Sequence, residues 1–266
     1  MIKVTAALVL AAMLPNLPQP SLHRCVVIVD QKTGSAWRSD ATACATRLSP
    51  ASTFKIPHAL VALETGVIAP DTVEKWDGVQ YPDYAKWNRD HTVASAMRPS
   101  VVWFFQRIAP RIGAARMHEW LRRVHYGNAS TDGDVTMYWI NGTLRVSPAE
   151  QAAFLHELYG GRLPVAPDRV RLIRDSLEQP FGAVENANGV MQLEGPRPTG
   201  ATWRPKTGRT SFAGTRVSWL VGDVSIGPRG YVFAAAVWRS DNGEIPAPAA
   251  AQLAVGTFAQ RGLLGK

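Results

Sequence analysis

Ser52-Thr53-Phe54-Lys55 sets a hydroxyl and an amine three residues apart, and Lys206-Thr207-Gly208 supplies a second amine beside a small hydroxyl and a bare backbone. In a helix, positions i and i+3 share one face, so a helical turn opening at Ser52 brings the Lys55 amine beside the Ser52 oxygen. A serine hydroxyl is a weak nucleophile near neutral pH. An adjacent base and the positive end of a helix are two ways to activate it. The plainer alternative is a serine N-cap followed, one turn later, by a solvated lysine. Ser-x-x-Lys arises by chance about once in a chain of this length, so the pair alone does not decide.

These residues need elements to hold them. Phe54, Ile56, Ala59, Leu60 and Leu63 recur at helical spacing and predict a helix over 52–64, stopped at Gly66. Pro57 is tolerated there because the first turns lose little hydrogen bonding. Residues 25–30 and 35–37 read as strands about a turn at Lys32-Thr33-Gly34. Residues 67–99 read as irregular, and 101–109 and 113–124 as helices. Ser147-Pro148-Ala149-Glu150 is a capping box with proline at the first helical position, opening a helix to about Tyr159. Another helix is expected over 167–177. The period then changes, giving strands over 201–206, 216–225 and 230–239 and a closing helix over 247–260. The order indicates an α+β fold: an antiparallel sheet built from both ends of the chain, flanked by helices, with a mainly helical subdomain over about 67–165.

With 266 residues, 46% of them hydrophobic, and nine tryptophans, the chain can bury a large core as a single domain over 23–266. Met1-Ile2-Lys3 and the apolar stretch 4–14 have the form of a secretory signal ending near residue 22, too short to span a bilayer. The expectation is export with no stable membrane anchor. The net charge of +8 includes five clustered arginines between 107 and 123. They lie on amphipathic helical stretches without regularly interleaved aromatics, which argues for a solvated face over nucleic-acid binding. The six histidines show no metal-ligand spacing, and no metal is expected. Cys25 and Cys44 are the only cysteines. An oxidising compartment would permit a bridge between them; otherwise they are two buried thiols.

Further motifs sharpen the reading. Ala51 to Pro57 with Leu63-Glu-Thr-Gly-Val67, then Trp76-Asp77-Gly78, Trp87-x-Arg89-Asp90, Ser100-Val101-Val102, Tyr126-Gly127-Asn128, Tyr138-Trp139-Ile140-x-Gly142 and Lys206-Thr207-Gly208 stand in an ordered series. Together they resemble the class D β-lactamases, over roughly residues 25–240. The resemblance implies hydrolysis of a β-lactam amide through an acylated Ser52, with exported, periplasmic location. It implies that Lys55 is carboxylated by carbon dioxide and serves as general base, in a pocket of Phe54, Val102, Trp139 and Ile140. Such capture needs a neutral amine, which burial can supply by lowering a lysine pKa by ~3–5 units. The Trp139 N–H would donate to the new anion.

By the same resemblance, Ser100 relays a proton to the departing nitrogen, between Ser52 and Lys206. Lys206 and Thr207 hold the substrate carboxylate from an edge strand, with Gly208 leaving room for the ligand; Val102 and Arg209 complete the substrate-binding set. The backbone N–H groups of Ser52 and Arg209 form the oxyanion hole, while Tyr126 and Asn128 shape the site. Many class D enzymes carry an arginine near the start of the last helix; residues 243–252 contain none. Two rivals share the core motifs. A penicillin-binding transpeptidase or carboxypeptidase, and a penicillin-sensing receptor domain, are acylated without rapid turnover.

Overall fold

The computed structural model describes residues 22–241 and 243–264; the expected leader lies, but for Leu22, outside the described residues. Five strands form one antiparallel sheet in the order β2-β1-β7-β6-β5. They are β1 (His23–Asp30), β2 (Ala36–Arg38), β5 (Ala201–Phe212), β6 (Thr215–Ile226) and β7 (Arg229–Arg239). The first strand pairs with the last, Val26 opposite Ala235, so both ends of the chain build the centre of the sheet. A separate hairpin is formed by β3 (Ala183–Asn186) and β4 (Gly189–Gln192).

Alternation along the strands explains the layers. Cys25, Val27 and Val29 of β1 face one hydrophobic core, while Val26 and Ile28 face the other. The second core is closed by α8 (Ala249–Gln260), which lays Phe258 against Phe233. The first is covered by α2 (Lys55–Glu64), α4 (Val102–Ile112), α5 (Ala114–Arg123) and α6 (Pro148–Tyr159). Three further helices, α1 (Ala41–Ala45), α3 (Val93–Met97) and α7 (Pro167–Ser176), complete the set. The reciprocal capping box at the start of α6 is present: Ser147 Oγ accepts from Glu150 N–H and Glu150 accepts from Ser147 N–H. Cys25 and Cys44 are disulfide-bonded, joining β1 to α1.

Three sequence expectations need correction. The stretch read as irregular contains α3, whose Thr92–Ser95 capping box compensates for its shortness. The hairpin β3–β4 was not anticipated, because its alternation is only four residues long on each side. The strand expected over 201–206 runs to Phe212, since Thr207 to Phe212 pair in register with Thr215 to Leu220. Lys206-Thr207-Gly208 therefore lies mid-strand, on the edge strand of the sheet, where the Ser52 turn packs against it.

Candidate active site

A short 3₁₀ turn, Ala51–Phe54, leads into α2, so Ser52 precedes the α-helix instead of opening it. The cause is local. Ala51 adopts the left-handed region (φ 48°), and the Pro50 carbonyl accepts both the Thr53 N–H at 3.2 Å and the Thr53 hydroxyl at 2.7 Å. Ser52 caps nothing, and Lys55 is fully buried. That removes the N-cap-and-solvated-lysine alternative.

The Lys55 amine donates to Ser52 Oγ at 3.0 Å. It lies over the Phe105 ring, 5.2 Å from the centroid. Burial pushes this amine well below the ordinary lysine range, and the nearby Lys206 charge pushes the same way. Phe54 and Trp139 stack 5.7 Å apart in the same nest, both fully buried. The Trp139 Nε1–H has no hydrogen-bond partner. A buried, unpaired donor beside a lysine held toward neutrality is the environment that a carboxylated amine would complete. Val102 is half-buried, packed on the same core while also lining the open cleft. Ile140 packs half-buried on the core, and its carbonyl accepts the hydroxyls of Ser49 and Thr210.

Lys206 reaches across from β5 to the same place. Its buried amine donates to Ser100 Oγ at 3.0 Å and to the Thr207 carbonyl at 3.0 Å. Burial brings it down to about 7. Ser100 sits in the left-handed region at φ 59°, a conformation that costs a non-glycine residue energy and recurs where a side chain must be aimed. Gly208 is required by close packing: a Cβ there would lie 2.9 Å from the Pro50 oxygen and 3.1 Å from the Thr53 nitrogen. The room that Gly208 makes is taken up by the Ser52 turn, while its backbone still lines the cleft.

Ser52, Ser100, Val102, Thr207, Gly208 and Arg209 all line one cleft of about 280 Å³. Tyr84, Trp87 and Met191 form much of the rest of its wall, with Asn186, Ala187 and Asn188 from the β3–β4 turn. Sequence reasoning missed these, although Asn188-Gly189 is an ordinary turn signal. It also missed Phe105, and it missed His58 although that residue stands three positions after Lys55. Tyr126 is buried behind the cleft and donates to Gln151 Oε1, whose amide donates to Thr53 Oγ1 at 2.9 Å. Asn128 does not shape the cleft. It is exposed and secures its own loop, donating to the Thr143 carbonyl at 2.9 Å and accepting the Arg145 N–H. Among the described residues, no group of three or more His, Cys, Asp or Glu is arranged to hold a metal, and no helix is long and apolar enough to cross a membrane.

A hydroxyl beside a deprotonable amine, a second hydroxyl–amine pair and an edge strand are the parts that a serine acyl transfer would need. Comparison agrees: residues 24–254 match the penicillin-binding protein transpeptidase domain. β-Lactamase OXA-48 of Klebsiella pneumoniae is 38% identical over 70% of this chain and 64% of its own length. The regulatory protein BlaR1 of Bacillus licheniformis is 34% identical over 71% of this chain but only 29% of its own length. A class D β-lactamase structure, YbxI from Nostoc, superposes with a TM-score of 0.75 at 29% identity, covering 91% of this chain and 94% of that one. The chain belongs to the penicillin-binding protein transpeptidase-domain family, in its class D β-lactamase branch.

Proposed function

We propose that this protein hydrolyses the amide bond of β-lactams through an ester on Ser52, as its class D relatives' names indicate. The observation that carries the reading is the buried Lys55 amine, 3.0 Å from Ser52 Oγ, with an unpartnered Trp139 N–H in the same nest. Capture of carbon dioxide would form an Nζ–C bond from the amine lone pair and release one proton to solvent. Carboxylated, Lys55 supplies a general base for acylation and deacylation. Phe54, Phe105 and Trp139 keep the amine dry, and the unpartnered Trp139 Nε1–H would donate to the anion.

Ser52 Oγ attacks the lactam carbonyl and loses its proton on the Lys55 side. The Ser52 and Arg209 backbone N–H groups receive the developing oxyanion. As the C–N bond breaks, Ser100 Oγ passes a proton to the ring nitrogen and is replenished from Lys206 Nζ. Lys206 and Thr207 face the substrate carboxylate. Water entering from the cleft then attacks the ester, and Ser52 Oγ recovers a proton as it leaves. Export to an oxidising, periplasmic compartment is part of the same reading, supported by the leader pattern and by the Cys25–Cys44 bond.

Incubation with a chromogenic cephalosporin tests it. Continuous turnover supports hydrolysis; a single stoichiometric burst would assign the chain to the acylated sensors or transpeptidases, a reading that the similarity to BlaR1 keeps open. In carbon dioxide-free buffer at mildly acidic pH the rate should fall and return with added bicarbonate. An unchanged rate would refute the carboxylated base.

A further inference from the structure

The nest around Lys55 holds a second polar side chain that these steps leave unused. His58 follows Lys55 by three residues on α2, so the two share one face of the helix. It is fully buried, and neither ring nitrogen has a hydrogen-bond partner. The rings of Phe54, Phe105 and Trp139 surround it, with centroids at 5.3, 5.3 and 5.1 Å. The Phe105 ring that packs on His58 also carries the Lys55 amine. Burial, reinforced by the Lys55 charge, holds the imidazole down at about 3, so it is neutral and keeps one N–H donor at working pH.

Unpaired buried donors are rare and costly, and here two of them, on His58 and Trp139, stand edge to face in the nest whose Phe105 ring carries the Lys55 amine. The Tyr138 hydroxyl is also buried and unpaired, and its ring stands edge-on to Phe54 and Trp139. Resting on the carboxylation reading above, we propose that His58 is a positioning residue that shares with Trp139 the task of holding the carboxylate formed on Lys55. A neutral donor stabilises that anion while adding no net charge to a dry pocket. It thereby sets how little carbon dioxide suffices to keep Lys55 loaded.

The wild-type chain, His58→Asn and His58→Phe are equilibrated with ¹³C-bicarbonate, and the carbamate carbon is followed by NMR. His58→Asn, which keeps an N–H donor, loads at nearly the wild-type concentration. His58→Phe requires about tenfold more bicarbonate, the ratio set by losing one charge-assisted hydrogen bond. Equal loading of wild type and His58→Phe overturns the assignment of His58 and leaves carboxylation standing. No carbamate carbon in the wild type overturns both. Should His58→Phe fail to fold, the ¹⁵N imidazole signals of His58 in the wild type decide: a shift on adding bicarbonate at constant pH supports the role, and unmoved signals overturn it.

Discussion

Arg174 and Arg204 meet the fully buried Asp223 carboxylate at 2.7 and 3.0 Å, whereas Lys55 and Lys206 meet only hydroxyl and carbonyl oxygens. The two clusters lie close together: Arg204 and Lys206 are two residues apart on β5. Both place cations where water is scarce. One supplies a counter-ion, which fixes the charges and makes the cluster a structural clamp between α7, β5 and β6. The other supplies none, so the amines are driven toward their neutral, reactive form. A missing carboxylate marks the chemical site as clearly as the residues that are present.

The sharpest test of that contrast removes the unpaired amine next to the nucleophile. Lys55→Ala should lower β-lactam turnover by about 10²–10⁴-fold, the usual range for losing a general base. It should also leave Ser52 acylated, visible as added mass on the intact protein. Ser52→Ala should carry no adduct at all. Rapid loss of the adduct from Lys55→Ala would show that the base lies elsewhere.

Next in size is a break in the paired cluster. Asp223→Asn leaves two guanidinium groups without their counter-charge, with Arg204 only 13% exposed at its side chain. Removing one partner of a buried pair costs about 3 kcal/mol or more, somewhat less here because Arg174 can reach water. The urea midpoint at pH 7 should fall accordingly, while acylation of Ser52 in the folded fraction stays close to wild type. A midpoint shift under about 1 kcal/mol would mean that the arginines are effectively solvated.

Relieving the unpaired cluster should have the opposite sign. Lys206 is neutral in the folded protein above about pH 7 but charged in the unfolded chain up to about 10.5. Between these values the unfolded state binds more protons, so stability rises with pH across that window and is lowest at and below its lower end. Lys206→Met abolishes the penalty. After subtracting the lost hydrogen bonds, a net stabilisation of about 2 kcal/mol is expected at pH 7, shrinking toward pH 10. Thermal unfolding of both proteins at pH 6, 7, 8 and 9 reads it directly. A destabilised variant with no pH trend would show that Lys206 is charged in the fold. Activity should be lost despite the gain, because stability and chemistry compete for the same amine.

The lysine half of this contrast was legible in the sequence, and the Asp223 cluster was not. Ser52, Lys55, Ser100 and Lys206 belong to short motifs whose spacing survives folding, while a capping box located α6, alternation β6 and a continuous apolar run β7. What escaped was non-local. The length of β5 depends on its pairing with β6, and the β3–β4 hairpin gains its place in the cleft from tertiary contacts such as the Glu185 ion pairs with Lys86 and Arg98. Asn128 was misplaced because its motif neighbour Tyr126 points inward while Asn128, two residues on, turns to solvent. His58 was passed over because a histidine on an apolar helix face reads as ordinary core until its nitrogens are seen to be unpaired.

The smallest expected effect on turnover belongs to the neutral chain that steadies the nucleophile's turn. Tyr126 donates to Gln151 Oε1 at 3.2 Å, Gln151 donates to Thr53 Oγ1 at 2.9 Å, and Thr53 donates to the Pro50 carbonyl at 2.7 Å. Tyr126→Phe keeps the ring against Phe54 and Phe154 but leaves the buried Gln151 oxygen without its donor. The cost is about 1–3 kcal/mol of stability. Gly208 still presses the strand against Pro50 and Thr53, so Ser52 keeps its place, and turnover should change by less than about tenfold. Chemical denaturation alongside steady-state kinetics separates the two effects. A large fall in turnover with little loss of stability would mean that the hydroxyl chain, and not the packing at Gly208, aims Ser52 at the substrate.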